Sequence, residues 1–234
     1  MQGFALAQTP GAAIEAGDFG WAQAYYDRVL DLQKSGAQQP LSAIGTTLQG
    51  GYQVRFGTQE AAMVPMGSWF VATLLNGQSK GTYQQFDWAF APAPQFDAST
   101  TGLDKTPVTF GDPTGLGINT SVTDQDKFTV AKEFLRYAAG VEGGKALAGI
   151  GITPANTTDQ VAAIYFGNGA PSDDLSKFAW SVHDTRPENP VGKYTAGVQT
   201  LLGQMHTAIL SEEKSVADAI ADAETQAKAE VLNK

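Results

Sequence analysis

A chain of 234 residues, 42% of them hydrophobic and only 17% charged, can bury a sizeable core, which excludes a disordered polyelectrolyte. The formal charge of −9 comes from 24 acidic against 15 basic residues, with the bases scattered singly, so no patch exists to neutralise a nucleic acid or an anionic membrane. The absence of cysteine removes disulfides, thiolate metal sites and thiol nucleophiles, and no apolar run approaches the roughly 20 residues that span a bilayer.

In chain order, Phe19, Ala22, Tyr25, Tyr26, Val29, Leu30 and Leu32 recur at helical spacing, with Asp18 as an N-cap and Gly36 as a stop. A second helical pattern from Leu41 to Phe56 is weakened by Gly45, Gly50 and Gly51. Ala61 to Val64 reads as a short strand ended by Pro65, followed by a turn at Gly67-Ser68-Trp69. Gln85 to Ala91 reads as an aromatic strand closed by Pro92 and Pro94, and residues 95–107 as loop. The turn-rich stretch Phe110 to Gly115 leads into an apolar strand, Leu116 to Asn119.

Thr123 and Asp126 then open a helix whose stripe is Phe128, Ala131, Phe134, Leu135 and Ala138, with Gly140 as its stop. Beyond the glycine-rich piece Gly143 to Gly151, a short helix from Ser172 is expected to turn Leu175, Phe178, Ala179 and Val182 inward. Two helices close the chain. One carries Tyr194, Val198, Leu201, Leu202, Met205 and Ile209; the other is capped by Ser215 and Asp218 and buries Val216, Ala219, Ile220, Ala223 and Ala227. Short strands between helices predict an α/β or α+β arrangement.

Catalytic patterns are missing. His183 and His206 are far apart and form no metal-ligand spacing. Gly140 to Lys145 is followed by Ala146, so it is no phosphate loop, and no G-x-S-x-G elbow occurs. No metal and no cofactor is expected. A glycosidase-like carboxylate pair stays open on composition, although Asp173-Asp174 and Glu212-Glu213 fit helix starts, where negative charge meets free N–H groups. Trp69, Trp88, Trp180 and Tyr194 lie near turns or element ends, and a ring exposed there can stack on a sugar. A turn is a poor place to bury Trp69, whereas the context of Trp88 favours packing.

Phe56-Gly57-Thr58-Gln59-Glu60-Ala61-Ala62-Met63 followed by Met66-Gly67-Ser68-Trp69 resembles the F-x-x-G-x-A-A-M-x-x-x-G-x-W stretch of the family 1 extracellular solute-binding proteins, the group that includes maltose-binding protein. One residue is inserted here, so the motif's glycine is replaced by Gln59 or displaced to Gly57. Phe86 to Pro94, Phe110 to Asn119, Ala131 to Leu135, Gly149 to Ala155 and Ser215 to Ile220 resemble further family segments in the same order.

The resemblance implies an α/β, periplasmic-binding-protein-like (type II) fold, incomplete, with the first part of its N-terminal lobe missing. Residues 1–107 and 172–234 would form a discontinuous C-terminal lobe, and 108–171 a crossover segment contributing to the N-terminal lobe. It also implies the substrate-binding component of an ABC importer, not an enzyme, placed outside the cell as a surface lipoprotein or in the periplasm. Its partners would be a carbohydrate, expected to be an oligosaccharide, and a membrane permease, with a dimer expected if the missing lobe leaves exposed strand edges. Ligand contacts carried over are Trp69, Ser68, Gly111, Asp112 and Thr114, with Tyr194 and Trp180 as further contacts; Asp112 also reads as a turn former before Pro113. A glycan-active enzyme fragment and a non-catalytic surface adhesion domain are the competing readings.

Overall fold

The computed structural model describes residues 10–44, 51–93, 104–111, 115–187 and 192–232. Helices α1 (Pro10–Ala16), α2 (Gln23–Lys34), α3 (Leu41–Ile44), α4 (Tyr52–Gly57) and α5 (Phe70–Ser79) precede strand β1 (Val108–Gly111). Helices α6 (Gln125–Ala139), α7 (Val141–Ala148), α8 (Asp159–Gly167) and α9 (Asp174–Ser181) follow, then β2 (Asp184–Pro187), α10 (Thr195–Leu210) and α11 (Val216–Gln226). A 3-10 turn, Gly20–Ala22, leads into α2, and a π-helical stretch, Ala227–Leu232, continues α11. β1 and β2 pair in a two-stranded sheet.

The expected α/β, type II periplasmic-binding-protein-like fold is corrected by this inventory: the described residues are mostly helical, and their strands are two segments of four residues. The three segments read as strands from sequence join no sheet. Ala62 and Met63 are exposed, as is Leu116, so neither apolar run is the buried strand that its composition suggested. Residues 85–91 do half-bury Trp88 and Phe90, but one side chain takes the place of a strand partner. The Ser176 hydroxyl accepts from Phe90 N at 3.1 Å and shares its one hydrogen between Asp173 Oδ2 at 2.6 Å and Phe90 O at 3.3 Å, so both backbone groups meet a partner without a ladder. Alternating hydrophobicity reports half-burial and leaves open what pairs with the backbone.

Two compact units are present. The first comprises Met1–Tyr52, Phe110–Asp112 and Arg186–Lys234; the second comprises Gln53–Thr109 and Pro113–Thr185.

The first unit is built from α2, α10 and α11. Phe19, Ala22, Tyr26 and Val29 lie within 6% exposure and pack with Val198, Leu202, Met205 and Ile209 of α10 and with Val216, Ala219, Ile220 and Ala223 of α11. The helical periodicity of the sequence fixes these faces, since i, i+3, i+4 and i+7 fall on one side of a helix. Ser215 caps α11 by accepting from Asp218 N at 3.1 Å, and Glu224 accepts from Phe19 N at 2.8 Å, tying α11 to the start of α2. Asp18, expected as an N-cap, accepts from Gly20 N at 3.1 Å at the head of the 3-10 turn.

In the second unit Val71 of α5, Ala148 of α7, Val161 and Tyr165 of α8, and Trp180 of α9 form the core, with Trp88 and Phe90 against it. Asp124 rather than Thr123 caps α6, its Oδ1 accepting from Asp126 N and Lys127 N at 3.0 Å each. The glycine-rich stretch becomes helical: a Cβ on Gly143 would stand 2.4 Å from Ala138 O, so glycine lets α7 turn tightly off the end of α6. Gly151 has φ +79° and passes within 3.2 Å of the Ala72 backbone as measured from an added Cβ, a second place where only glycine fits. On α9 the inward residues are Ser176 and Trp180, while Leu175 and Val182 are exposed, so the inward face differs from the sequence reading.

Candidate functional site

Trp69 is a part-exposed aromatic side chain around which a contact surface can be built. Gly67, Ser68 and Trp69 form the turn that starts α5, with Phe70 N donating to Gly67 O at 3.0 Å and Val71 N to Ser68 O at 3.2 Å. The indole folds back over Gly67: a Cβ there would lie 2.4 Å from Trp69 Nε1. Glycine is thus required for this ring position. Trp69 stays 46% exposed although its neighbour Phe70 is buried.

A series of rings supports it from below. Trp69 meets Phe70 edge-on at 6.1 Å between centroids, Phe70 meets Phe56 at 6.3 Å, and Phe56 meets Phe86 at 5.5 Å. Phe56 and Phe86 were not singled out as site residues in the sequence; the signal was their place in aromatic segments on either side of α5. Tyr83 completes the backing by lying against Gly57 and Gly77, where an added Cβ would fall 2.6 Å and 2.2 Å from its ring. A rigidly seated, half-exposed indole beside the exposed Ser68 hydroxyl can stack on the apolar face of a pyranose and hydrogen-bond to a hydroxyl.

The residue at the place of the motif's glycine also has a structural role. Gln59 has φ 61°, the left-handed region that favours glycine, and its amide donates to Gln84 Oε1 at 2.7 Å. Next to it Arg55 pairs with Glu60, and that pairing together with the Thr58 hydroxyl holds the Glu60 carboxyl below the usual range.

The other expected contacts are distributed as follows. Trp180 is 4% exposed and sits in the second unit's core, 5.3 Å from the Tyr165 ring and 5.4 Å from Phe166. Its ring has no face for a surface ligand, because packing in the core was the stronger demand on α9. Gly111 ends β1 and belongs to the first unit, as does Tyr194, which precedes α10, is half-buried against that unit's core and carries the Lys193 ammonium 5.0 Å over its ring. Asp112 and Thr114 lie outside the described residues. Trp69 and Ser68 are therefore brought together in the second unit, and Gly111 and Tyr194 fall in the first.

Groups with shifted acidity have local structural causes. His206 Nδ1 lies 3.0 Å from the Tyr26 hydroxyl between α10 and α2, and burial lowers its pKa from the ordinary 6.5. Burial raises the Tyr26 phenol, with Tyr25 adding to the effect. The Asp173 carboxyl is held low by the Ser176 hydroxyl and the backbone N–H groups it caps. No cluster of three or more His, Cys, Asp or Glu side chains able to hold a metal occurs among the described residues. A shallow depression of about 470 Å³ is lined by Ala139, Ala155, Asn156, Thr157 and Thr158. No helix among the described residues is long and apolar enough to cross a membrane.

No known family profile matches the chain, and no curated protein matches it. A solved structure, a sugar transporter from Rhizobium etli in an open conformation, is similar over 98% of this chain with a TM-score of 0.71 and 23% sequence identity. At that identity the likeness is one of fold, and the present chain spans only 56% of the length of that one. Against the expected solute-binding component of an importer with a periplasmic-binding-protein fold stand that protein's description, sugar transporter, and the mostly helical described residues with two strands of four.

Proposed function

We propose that this chain is part of a protein of sugar transport and that it contacts carbohydrate, without chemically altering it, through the indole of Trp69. The observation that carries the reading is a tryptophan left 46% exposed in a turn where Gly67 and a series of phenylalanines fix its position. Covering the exposed part of the ring would be favourable by about 25 cal/mol per Å², and the apolar face of a sugar is of the shape to do so. The fold likeness to a protein described as a sugar transporter supplies the ligand class. Ser68 is the hydroxyl partner next to the ring, and an oligosaccharide offers the repeated apolar faces that stacking uses.

The test is isothermal calorimetry of the chain against a panel of mono- and oligosaccharides, with Trp69→Ala as the paired variant and chromatography of each sugar after incubation. A saturable heat that Trp69→Ala abolishes, with the sugar recovered unchanged, is the expected result. Heat with equal size in both proteins removes Trp69 from the site; a shortened or modified sugar replaces the reading with the glycan-active enzyme.

A further inference from the structure

The sequence holds two Asn-Gly pairs, Asn76-Gly77 and Asn168-Gly169, and we propose that the second is a site of spontaneous deamidation while the first is protected by its helix. A glycine after asparagine has no Cβ to crowd its backbone nitrogen, so that nitrogen can reach the asparagine side-chain carbonyl. Sequence alone makes the two pairs equal, and both asparagines are exposed. Their backbones differ.

Asn76-Gly77 lies inside α5, where Asn76 O accepts from Lys80 N at 3.0 Å and Gly77 N is held by the helical ladder. Gly77 O accepts from Thr82 N at 2.9 Å and from Tyr83 N at 3.1 Å, and the Tyr83 ring lies over the glycine. Turning this peptide toward the Asn76 side chain breaks the helix. Asn168-Gly169 instead follows α8, with Asn168 at φ −90° and ψ 17° and Gly169 at φ +92°. Among the described residues neither Asn168 O nor Gly169 N has a hydrogen-bond partner. The Asn168 ψ can therefore leave its value of 17° for the attack without any such bond being broken.

In the reaction Gly169 N attacks Asn168 Cγ: the N–Cγ bond forms, the Cγ–Nδ2 bond breaks, and the side-chain amide leaves as ammonia with the Gly169 proton. The product is a succinimide. Water opens that ring at either carbonyl. Opening at Cγ gives aspartate, whereas opening at the main-chain carbonyl gives isoaspartate with one more methylene in the backbone. Nothing is oxidised or reduced. Either product puts a carboxylate at the end of α8, where the helix carbonyls already disfavour negative charge. The extra methylene enters between Tyr165 and Ala170, which are 0% and 4% exposed in the second unit's core, so the modified unit is less stable.

Peptide mapping by mass spectrometry tests this on the full chain held at mildly alkaline pH and body temperature, with an isoaspartyl methyltransferase as a second label. The expected result is conversion of Asn168 at least about tenfold faster than that of Asn76, whose helix must open first. In urea, where both pairs are freed, the two rates should converge. Asn168→Gln, whose longer side chain closes the ring poorly, should lose the signal while circular dichroism shows the fold kept. The modified fraction, collected by anion exchange on its added charge, should melt below the parent. Equal rates at the two pairs in the folded chain overturn the proposal, as does a folded chain unmodified at Asn168 under conditions where the urea-unfolded chain reacts; a modified fraction that melts with the parent overturns the effect on the core.

Discussion

Gly67 decides where the indole of Trp69 can lie, because an added methyl would stand 2.4 Å from the ring nitrogen. Gly67→Ala should therefore displace the ring and weaken sugar binding by about tenfold, since affinity depends on holding the contact group in its bound position. The melting temperature should stay close to that of the wild type, as the residue is exposed; calorimetry and a melt of the same sample read both. Ser176 is the opposite case, a fully buried hydroxyl that serves Phe90 N, Phe90 O and the Asp173 carboxylate. Ser176→Ala leaves a backbone N–H and C=O without their partner and should cost about 1–3 kcal/mol in chemical denaturation. His206 gives a pH dependence with a definite sign. Its pKa is lowered in the folded chain from 6.5, so below pH 6.5 the unfolded state takes up a proton that the folded state does not. Stability should be full above pH 6.5 and fall as the pH drops below it, and His206→Gln should flatten that slope in thermal melts.

At the scale of elements, legibility followed the helical stripe. Helices α10 and α11 were readable to the residue, including the Ser215 cap, because long periodic patterns and short-range caps are properties of sequence. Helix α6 was readable as a helix; of its stripe, Ala131, Leu135 and Ala138 are half-buried and Phe128 and Phe134 exposed, because periodicity marks a side of the helix and leaves open what covers it. Helix α8 went unread because Val161 to Phe166 is apolar all round and offers no period. The supposed strands failed for a different reason. Pairing is a long-range property: Gln85 to Ala91 finds the side chain of Ser176, 86 residues away from Phe90, where a strand would have been needed. At the site, Trp69 and its turn were legible because Gly67-Ser68-Trp69 is local, whereas the burial of Trp180 depended on Tyr165 and Phe166 in another helix.

For the molecule as a whole, the two units are built alike in one respect, each being helices around a compact apolar core, and differ in what they leave open. The second unit carries both the exposed indole of Trp69 and helix α6, which has no buried side chain. The central claim, carbohydrate contact through Trp69, is tested most directly by the indole N–H resonances of the chain's four tryptophans, Trp21, Trp69, Trp88 and Trp180, with the Trp69 signal assigned by its loss in Trp69→Phe. A saturable shift of the Trp69 resonance during titration with a sugar from the panel, with the Trp180 resonance still, is the result the account predicts. A Trp69 resonance that stays in place while the sugar binds, as seen by calorimetry on the same sample, would contradict it.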